Sequence, residues 1–169
     1  MPKPLSDFEG DRIYVESNIF LFIALGNFRL GPACMEFFGR AARGEFEVLT
    51  SSLTVDEVAF VALKVGLEEK FRVTSGAVAY LKRNPEIVKT LGSKVIEVVQ
   101  RMAAMTRLVE VASDDVLGIG TYMEAYGLLP RDACHLSVMH RLGMMAIASN
   151  DRDFDRVPWL TRYYPQRSR

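Results

Sequence analysis

Cysteine is scarce in this chain: 169 residues carry two, Cys34 and Cys134, and neither stands at a spacing that suits a metal-ligand pair or a redox motif. Both are read as reduced, packed thiols of a cytosolic protein. Long apolar runs are missing as well. No stretch approaches the roughly twenty uninterrupted apolar residues of a membrane span. The N-terminus, MPKPLSDFEGD, lacks the apolar core of a secretion signal, so a cytoplasmic location without membrane contact is expected. Net charge is absent too, since 21 Lys and Arg balance 21 Asp and Glu. No global basic signature therefore announces a nucleic-acid partner. A glycine-rich phosphate loop is lacking, which argues against a nucleoside-triphosphate enzyme. Ser17, Ser51 and Ser52 have no His and acid at a recognisable spacing, which argues against serine hydrolysis. Internal repeats and low-complexity segments do not occur.

The residues present describe one domain over 1–169. An apolar fraction of 49% is enough for a core, and 25% charged residues is ordinary for a globular chain. Arg12 to Glu16 (RIYVE) is a short β-prone run whose apolar character suits a strand buried on both faces. Further strands are predicted at Glu47–Thr50, Leu108–Ala112 and Met144–Ser149, with a fifth, edge strand at Leu160–Tyr164. Helices are predicted between them: Asn18–Leu25, capped by Ser17 or Asn18; Ala33–Ala42; one carrying Val55–Val65; and one opened by Pro130 and stopped by Gly143. A helical elaboration spans about 67–107, with breaks predicted at Asn84-Pro85 and Gly92-Ser93. Its second half repeats Val95, Val98, Val99, Met102 and Met105 at helical spacing, an amphipathic face in which the methionines are core filler. Strands alternating with helices predict a three-layer α/β/α sandwich around a mainly parallel sheet of four to five strands.

In such sheets ligands collect at the carboxyl ends of strands, where strand order reverses. Acids stand at those positions. Glu16 ends the first strand, Asp151 follows the fourth, Asp153 lies two residues on, and Glu57 and Asp132 are predicted in the first turns of two helices. If the first and fourth strands are neighbours, Glu16 and Asp151 converge. Two carboxylates about 5 Å apart repel by roughly 3 kcal/mol at an effective dielectric of about 20. Magnesium or manganese, which favour oxygen ligands, reverse that penalty, lower the pKa of a bound water and stabilise charge on a phosphodiester. Each acid has a plainer explanation as well. Thr54-Val-Asp-Glu57 matches a capping box, Asp132 suits a helix N-terminus, and Asp151 and Asp153 suit a turn. Glu16 does not yield so easily, because an acid following Ile13-Tyr14-Val15 in an apolar strand is costly without a partner. Arg162, Arg167 and Arg169 crowd the C-terminus, either as a basic rim for the acids or as a solvated tail.

Four ordered segments resemble the PIN-domain family. Tyr14-Val15-Glu16-Ser17-Asn18-Ile19-Phe20-Leu21 is similar to its opening strand and helix. Leu53-Thr54-Val55-Asp56-Glu57-Val58 resembles the segment that delivers its glutamate. Leu129-Pro130-Arg131-Asp132-Ala133-Cys134-His135-Leu136 resembles the aspartate helix start, and Ala148-Ser149-Asn150-Asp151-Arg152-Asp153-Phe154 the strand-end signature. The resemblance implies a ribonuclease dependent on one or two Mg or Mn ions. It implies Glu16, Glu57, Asp132 and Asp151 as catalytic acids, and Glu16, Asp132, Asp151 and Asp153 as metal ligands. Asn18 and Ser149 would orient the carboxylates or the water. The size resembles the toxin of VapBC toxin–antitoxin pairs, which implies an RNA substrate, a small antitoxin partner and a homodimer.

Two positions depart from the family pattern: Glu16 stands where an aspartate is usual, and Ser149 where a threonine is usual. The first departure leaves a second reading, a catalytically silent PIN-like domain that binds RNA or protein. A phosphoacceptor of the receiver kind would need an aspartate nucleophile at a middle strand end and a lysine at a late one, and neither is found. His135, one helical turn from Asp132, either joins the site or is a buried, hydrogen-bonded residue.

Overall fold

Short apolar runs buried on both faces make the centre of the fold. The computed structural model describes residues 1–167. Its strands are β1 (Lys3–Pro4), β2 (Arg12–Val15), β3 (Glu47–Ser51), β4 (Arg107–Val109), β5 (Ala146–Ala148) and β6 (Thr161–Tyr164). Every pairing is parallel, and the order is β1-β6-β5-β2-β3-β4. The helices are α1 (Ser17–Ala24), α2 (Gly31–Ala42), α3 (Ser52–Phe71), α4 (Ala77–Arg83), α5 (Pro85–Ala104), α6 (Ser113–Leu117), α7 (Ile119–Tyr126) and α8 (Pro130–Arg141).

Successive strand residues face opposite sides of a sheet, and that alternation sorts the core into two layers. Ile13, Val15, Val48 and Ala148 pack with Ile19, Phe37 and Met102 on one side. Tyr14, Leu49 and Ile147 pack with Leu136, Met139 and Phe154 on the other. Each such aliphatic or aromatic side chain contributes about 1.5–3 kcal/mol by leaving water. The three-layer sandwich predicted from the sequence is observed. Among the described residues no helix is long and apolar enough to cross a membrane.

Several details differ from the sequence reading. The sheet has six strands rather than four or five, because Lys3 and Pro4 pair with Tyr163 and Tyr164. This takes β6 off the edge. A two-residue strand has no periodicity to read. α5 runs through Gly92-Ser93 without a break, since a Cβ at Gly92 would meet nothing and the face carrying Ile87, Leu91 and Met102 holds the helix down. The break falls instead at Arg72, whose left-handed φ of 59° closes α3. Asn84-Pro85 does start a helix, with proline in its first turn. The elaboration has its own small core of Leu67, Leu81, Ile87 and Leu91. Gly66 lets α3 and α5 meet closely there, since a Cβ would lie 3.2 Å from Leu91. Met102 is buried as expected, whereas Met105 is exposed.

Arg162 is neither tail nor rim. It is 5% exposed in β6, donates to both oxygens of Asp155 at 2.7 and 2.8 Å, and donates to the Ser149 carbonyl at 3.1 Å. It braces the end of β5 from within. Arg167 is exposed, and Arg169 lies outside the described residues.

A second internal ion pair ties α6 to α8. The Asp115 side chain is 2% exposed, accepts the Ala112 amide at 2.8 Å, and takes the Arg141 guanidinium on both oxygens at 2.8–3.0 Å. Asp115→Ala strands that amide and half of the guanidinium, and is expected to cost about 3 kcal/mol in urea unfolding.

Candidate active site

β2 and β5 are neighbours, with Tyr14 against Ile147 and Val15 against Ala148. The chain goes outward from β2 through β3 to β4, then returns to β5 on the other side. The reversal therefore lies between the ends of β2 and β5, where a crevice opens in such sheets. Glu16 leaves β2 there, with its amide on the Ala148 carbonyl at 3.1 Å. Ser149, Asn150 and Asp151 leave β5 beside it, and Asp151 caps a short 3-10 helix (Arg152–Arg156) by accepting the Asp153 amide at 2.9 Å.

Asp132 comes from the first turn of α8, which Pro130 opens. Asp132, Asp151 and Asp153 each offer a carboxylate oxygen, and the three oxygens lie within 4.8 Å of one another. Glu16 lies beside this group and is engaged elsewhere. Its carboxylate accepts from the Ser149 hydroxyl at 2.5 Å, from the Asn18 amide and from Ser17 at 3.2 Å. Glu16, and not Ser17 or Asn18, is the residue that caps α1, and it does so without a side-chain bond to the helix. Asn18 also accepts the Asn150 amide at 3.1 Å, and the Ser149 hydroxyl accepts the Asp151 amide at 2.9 Å. Asn18 and Ser149 thus connect Glu16 to the β5 loop.

Glu57 arrives from α3. That helix starts at Ser52, so Glu57 stands in its second turn and forms no capping box with Thr54. Its two oxygens meet His135 Nε2 at 3.3 Å and Arg131 at 3.2 Å. Arg131 also reaches Asp56 at 3.7 Å, and Arg156 holds Asp153 at 2.8 Å. The sequence alone gave no reason to single out Tyr14, Arg131 or Arg156, whose partners are remote or unremarkable in composition.

Electrostatics show how tightly these acids are coupled. Burial pushes the Glu16 carboxyl up to about 6, with the charges of Glu57 and Asp151 adding to the rise and Ser149 and His135 opposing it. Asp132 is raised by burial and then by the charge of Asp151, with Asp153 and Glu57 contributing. Burial also pushes Glu57 upward, but the bond and charge of His135, with Arg131, outweigh it and leave Glu57 below the usual range. The shifts of Glu16 and Asp132 each have other acids of the cluster among their causes, whereas that of Glu57 is set by His135 and Arg131 against its burial. A set of hard carboxylate oxygens, without nitrogen or sulfur in the three-aspartate group, fits Mg or Mn rather than zinc or copper.

The raised Glu16 carboxyl has a direct consequence for stability. Its ordinary value is 4.5, so above pH 6 the folded protein bears a charge that the unfolded chain carries more easily. The penalty is full above the folded value and fades as pH falls toward the unfolded one. Between the ordinary 4.5 and the folded value of about 6 it amounts to about 2 kcal/mol. Glu16→Gln is expected to raise the unfolding free energy by about that much in metal-free buffer near pH 7.5, and to leave it unchanged near pH 4. Urea titrations at the two pH values check this.

The sequence profile of the PIN domain matches residues 13–160. No curated protein sequence matches the chain. Solved structures do. VapBC2 from Rickettsia felis, bound to a DNA fragment from its promoter, aligns with a TM-score of 0.61 at 11% identity, covering 92% of this chain and 99% of that one. VapC20 from Mycobacterium tuberculosis, a sarcin–ricin loop cleaving toxin, aligns at 0.55 and 14%, covering 86% and 95%. A toxin–antitoxin complex from Klebsiella pneumoniae aligns at 0.53 and 16%, covering 88% and 95%. At such identities the likeness is one of fold.

Proposed function

The chain belongs to the PIN-domain family of nucleases, and on that premise we propose that it is a metal-dependent endoribonuclease. The observation that carries this reading is the three-oxygen group of Asp132, Asp151 and Asp153 at the strand-order reversal. These aspartates would hold one or two Mg or Mn ions, and Glu16 and Glu57 complete the acidic wall. When bound, the ion supplies positive charge that eases deprotonation of water near neutral pH and offsets charge building on the phosphoryl group.

The protein's own groups do the rest. Asp132, in the first turn of α8 with Asp151 beside it, takes the proton of the attacking water, and Asp151 is the alternative acceptor. Asn18 and Ser149 hold Glu16 and the β5 loop in register. Arg131, paired with Glu57, and Arg156, paired with Asp153, are about half exposed beside the acids and meet the substrate phosphates.

The fold likeness to VapBC2, VapC20 and the Klebsiella complex supports a toxin of a toxin–antitoxin pair with an antitoxin partner, and the family resemblance of the sequence motivates a homodimeric state. One observation favours the second reading, a silent binding domain. Glu16 is tied to Ser149 and Asn18 and stands outside the three-oxygen group. Incubation of single-stranded RNA with the purified protein separates the two. Cleavage that needs manganese or magnesium and stops with chelator supports the nuclease, and RNA binding without cleavage in either metal supports the silent domain.

A further inference from the structure

Tyr14 lies in the middle of the central strand, is 0% exposed, and has neighbours that are otherwise apolar. A phenylalanine would fill the same space, yet the hydroxyl is present and fully engaged. It lies 2.7 Å from the Ser51 hydroxyl and 2.7 Å from His135 Nδ1. His135 is 1% exposed, and its other nitrogen meets Glu57 at 3.3 Å. Ser51 ends β3 and is the N-terminal cap of α3 without bonding the helix, because its side chain turns to Tyr14. The chain Ser51–Tyr14–His135–Glu57 thus crosses from β3 through β2 and α8 to α3, and reaches solvent only at the glutamate.

We infer that His135 is a positioning residue for Glu57, with its ring orientation fixed by Tyr14 and Ser51, so that the buried hydrogen-bond chain holds the glutamate carboxylate at the mouth of the acid crevice. Only the kinetic part of this inference rests on the ribonuclease reading. An ionised carboxylate only accepts, so Nε2 carries the proton that faces Glu57. The Tyr14 hydroxyl donates to Ser51 at 2.7 Å and its oxygen lies 2.7 Å from Nδ1, so each ring nitrogen has a partner. Without the tyrosine hydroxyl, Nδ1 is a buried polar atom with no partner, and the ring orientation that serves Glu57 loses its support. His135 is too deeply buried to touch RNA, so its effect passes through Glu57.

The chain has two histidines, which makes their ring nitrogens separable by NMR. His140 is an internal reference, since its Nδ1 lies 2.6 Å from the Tyr122 hydroxyl at the surface. In imidazole-15N spectra of the full-length protein, Tyr14→Phe and Glu57→Gln are each expected to move the His135 nitrogen signals, and Tyr122→Phe to move only those of His140. In RNA cleavage, Tyr14→Phe is expected to lower kcat about 10-fold with KM unchanged, and His135→Leu about 100-fold. His135→Gln is expected to recover most of that loss, because the glutamine amide sits where Nε2 does. His135 signals indifferent to both Tyr14→Phe and Glu57→Gln would overturn the inference. So would a folded His135→Gln no better than His135→Leu in an active wild-type background. If wild-type protein cleaves no RNA at all, the ribonuclease reading fails by itself and the spectra alone decide the hydrogen-bond chain.

Discussion

Asp132→Asn is expected to lower metal-dependent RNA cleavage about a thousandfold while raising the melting temperature of the metal-free protein. Both effects have one cause. Asp132 faces Asp151 and Asp153 at distances where unit charges repel by about 3 kcal/mol at an effective dielectric of about 20, and its carboxyl is raised by burial first and by those charges second. The amide keeps the shape and removes the charge, so the empty cluster relaxes. The same charge holds the ion and takes the water proton. Removing it forfeits about 4 kcal/mol of transition-state stabilisation, which is about three powers of ten in rate. A variant that lost activity through misfolding would melt earlier, so calorimetry beside single-turnover cleavage separates the two causes.

Manganese is expected to stabilise the wild-type protein strongly and Asp132→Asn hardly at all. An ion that binds only the folded state adds RT ln(1 + [L]/Kd), about 2.7 kcal/mol at a hundred times Kd. For a chain of this size each kcal/mol moves the midpoint by about 2–4 °C, giving a rise of about 5–10 °C. Glu16 adds a diagnostic. Its burden in the metal-free state is the charge of Glu57 and Asp151 as well as burial, so an ion beside Asp151 eases it. The stability gained by Glu16→Gln near pH 7.5 should therefore shrink when manganese is present. Thermal melts with and without manganese, across the wild type and both variants, give the full set of differences.

What the sequence made legible follows from distance along the chain. Three of the four acidic segments are legible because each carries its own local signature: an apolar strand ending in Glu16, a proline-opened helix with Asp132, an apolar strand ending before Asp151. The neighbouring of β2 and β5 then brings these ends together. The Ser51–Tyr14–His135–Glu57 chain could not be read that way. Tyr14 and His135 are 121 residues apart, and a tyrosine in a buried strand looks like ordinary core. His135 was predicted either to join the site or to be buried and hydrogen-bonded. The structure shows it buried, with Glu57 as one of its two partners.

Misreadings came from local signals that tertiary contacts overrode. Gly92-Ser93 suggested a break, but the apolar face of α5 runs past it. Thr54 and Glu57 matched a capping box, but α3 begins at Ser52 and Glu57 turns to His135 instead. Arg162 reads from the sequence as part of a basic rim or of a solvated tail and is neither, because its partners are the Asp155 side chain and the Ser149 backbone, which three-dimensional packing brings to it. Glu16 is grouped with the other ligands by the sequence, and in the structure it lies beside the three aspartates. Its charge is coupled to Asp151 and Glu57, while its oxygens are committed to Ser149 and Asn18.

The most direct test is anomalous diffraction at the manganese edge from crystals grown with Mn2+. A peak bonded to oxygens of Asp132, Asp151 and Asp153 is the result expected if acids distant in sequence form one ion-binding pocket. Manganese-containing crystals with no peak there, or with those three side chains directed into separate regions of solvent, would contradict it.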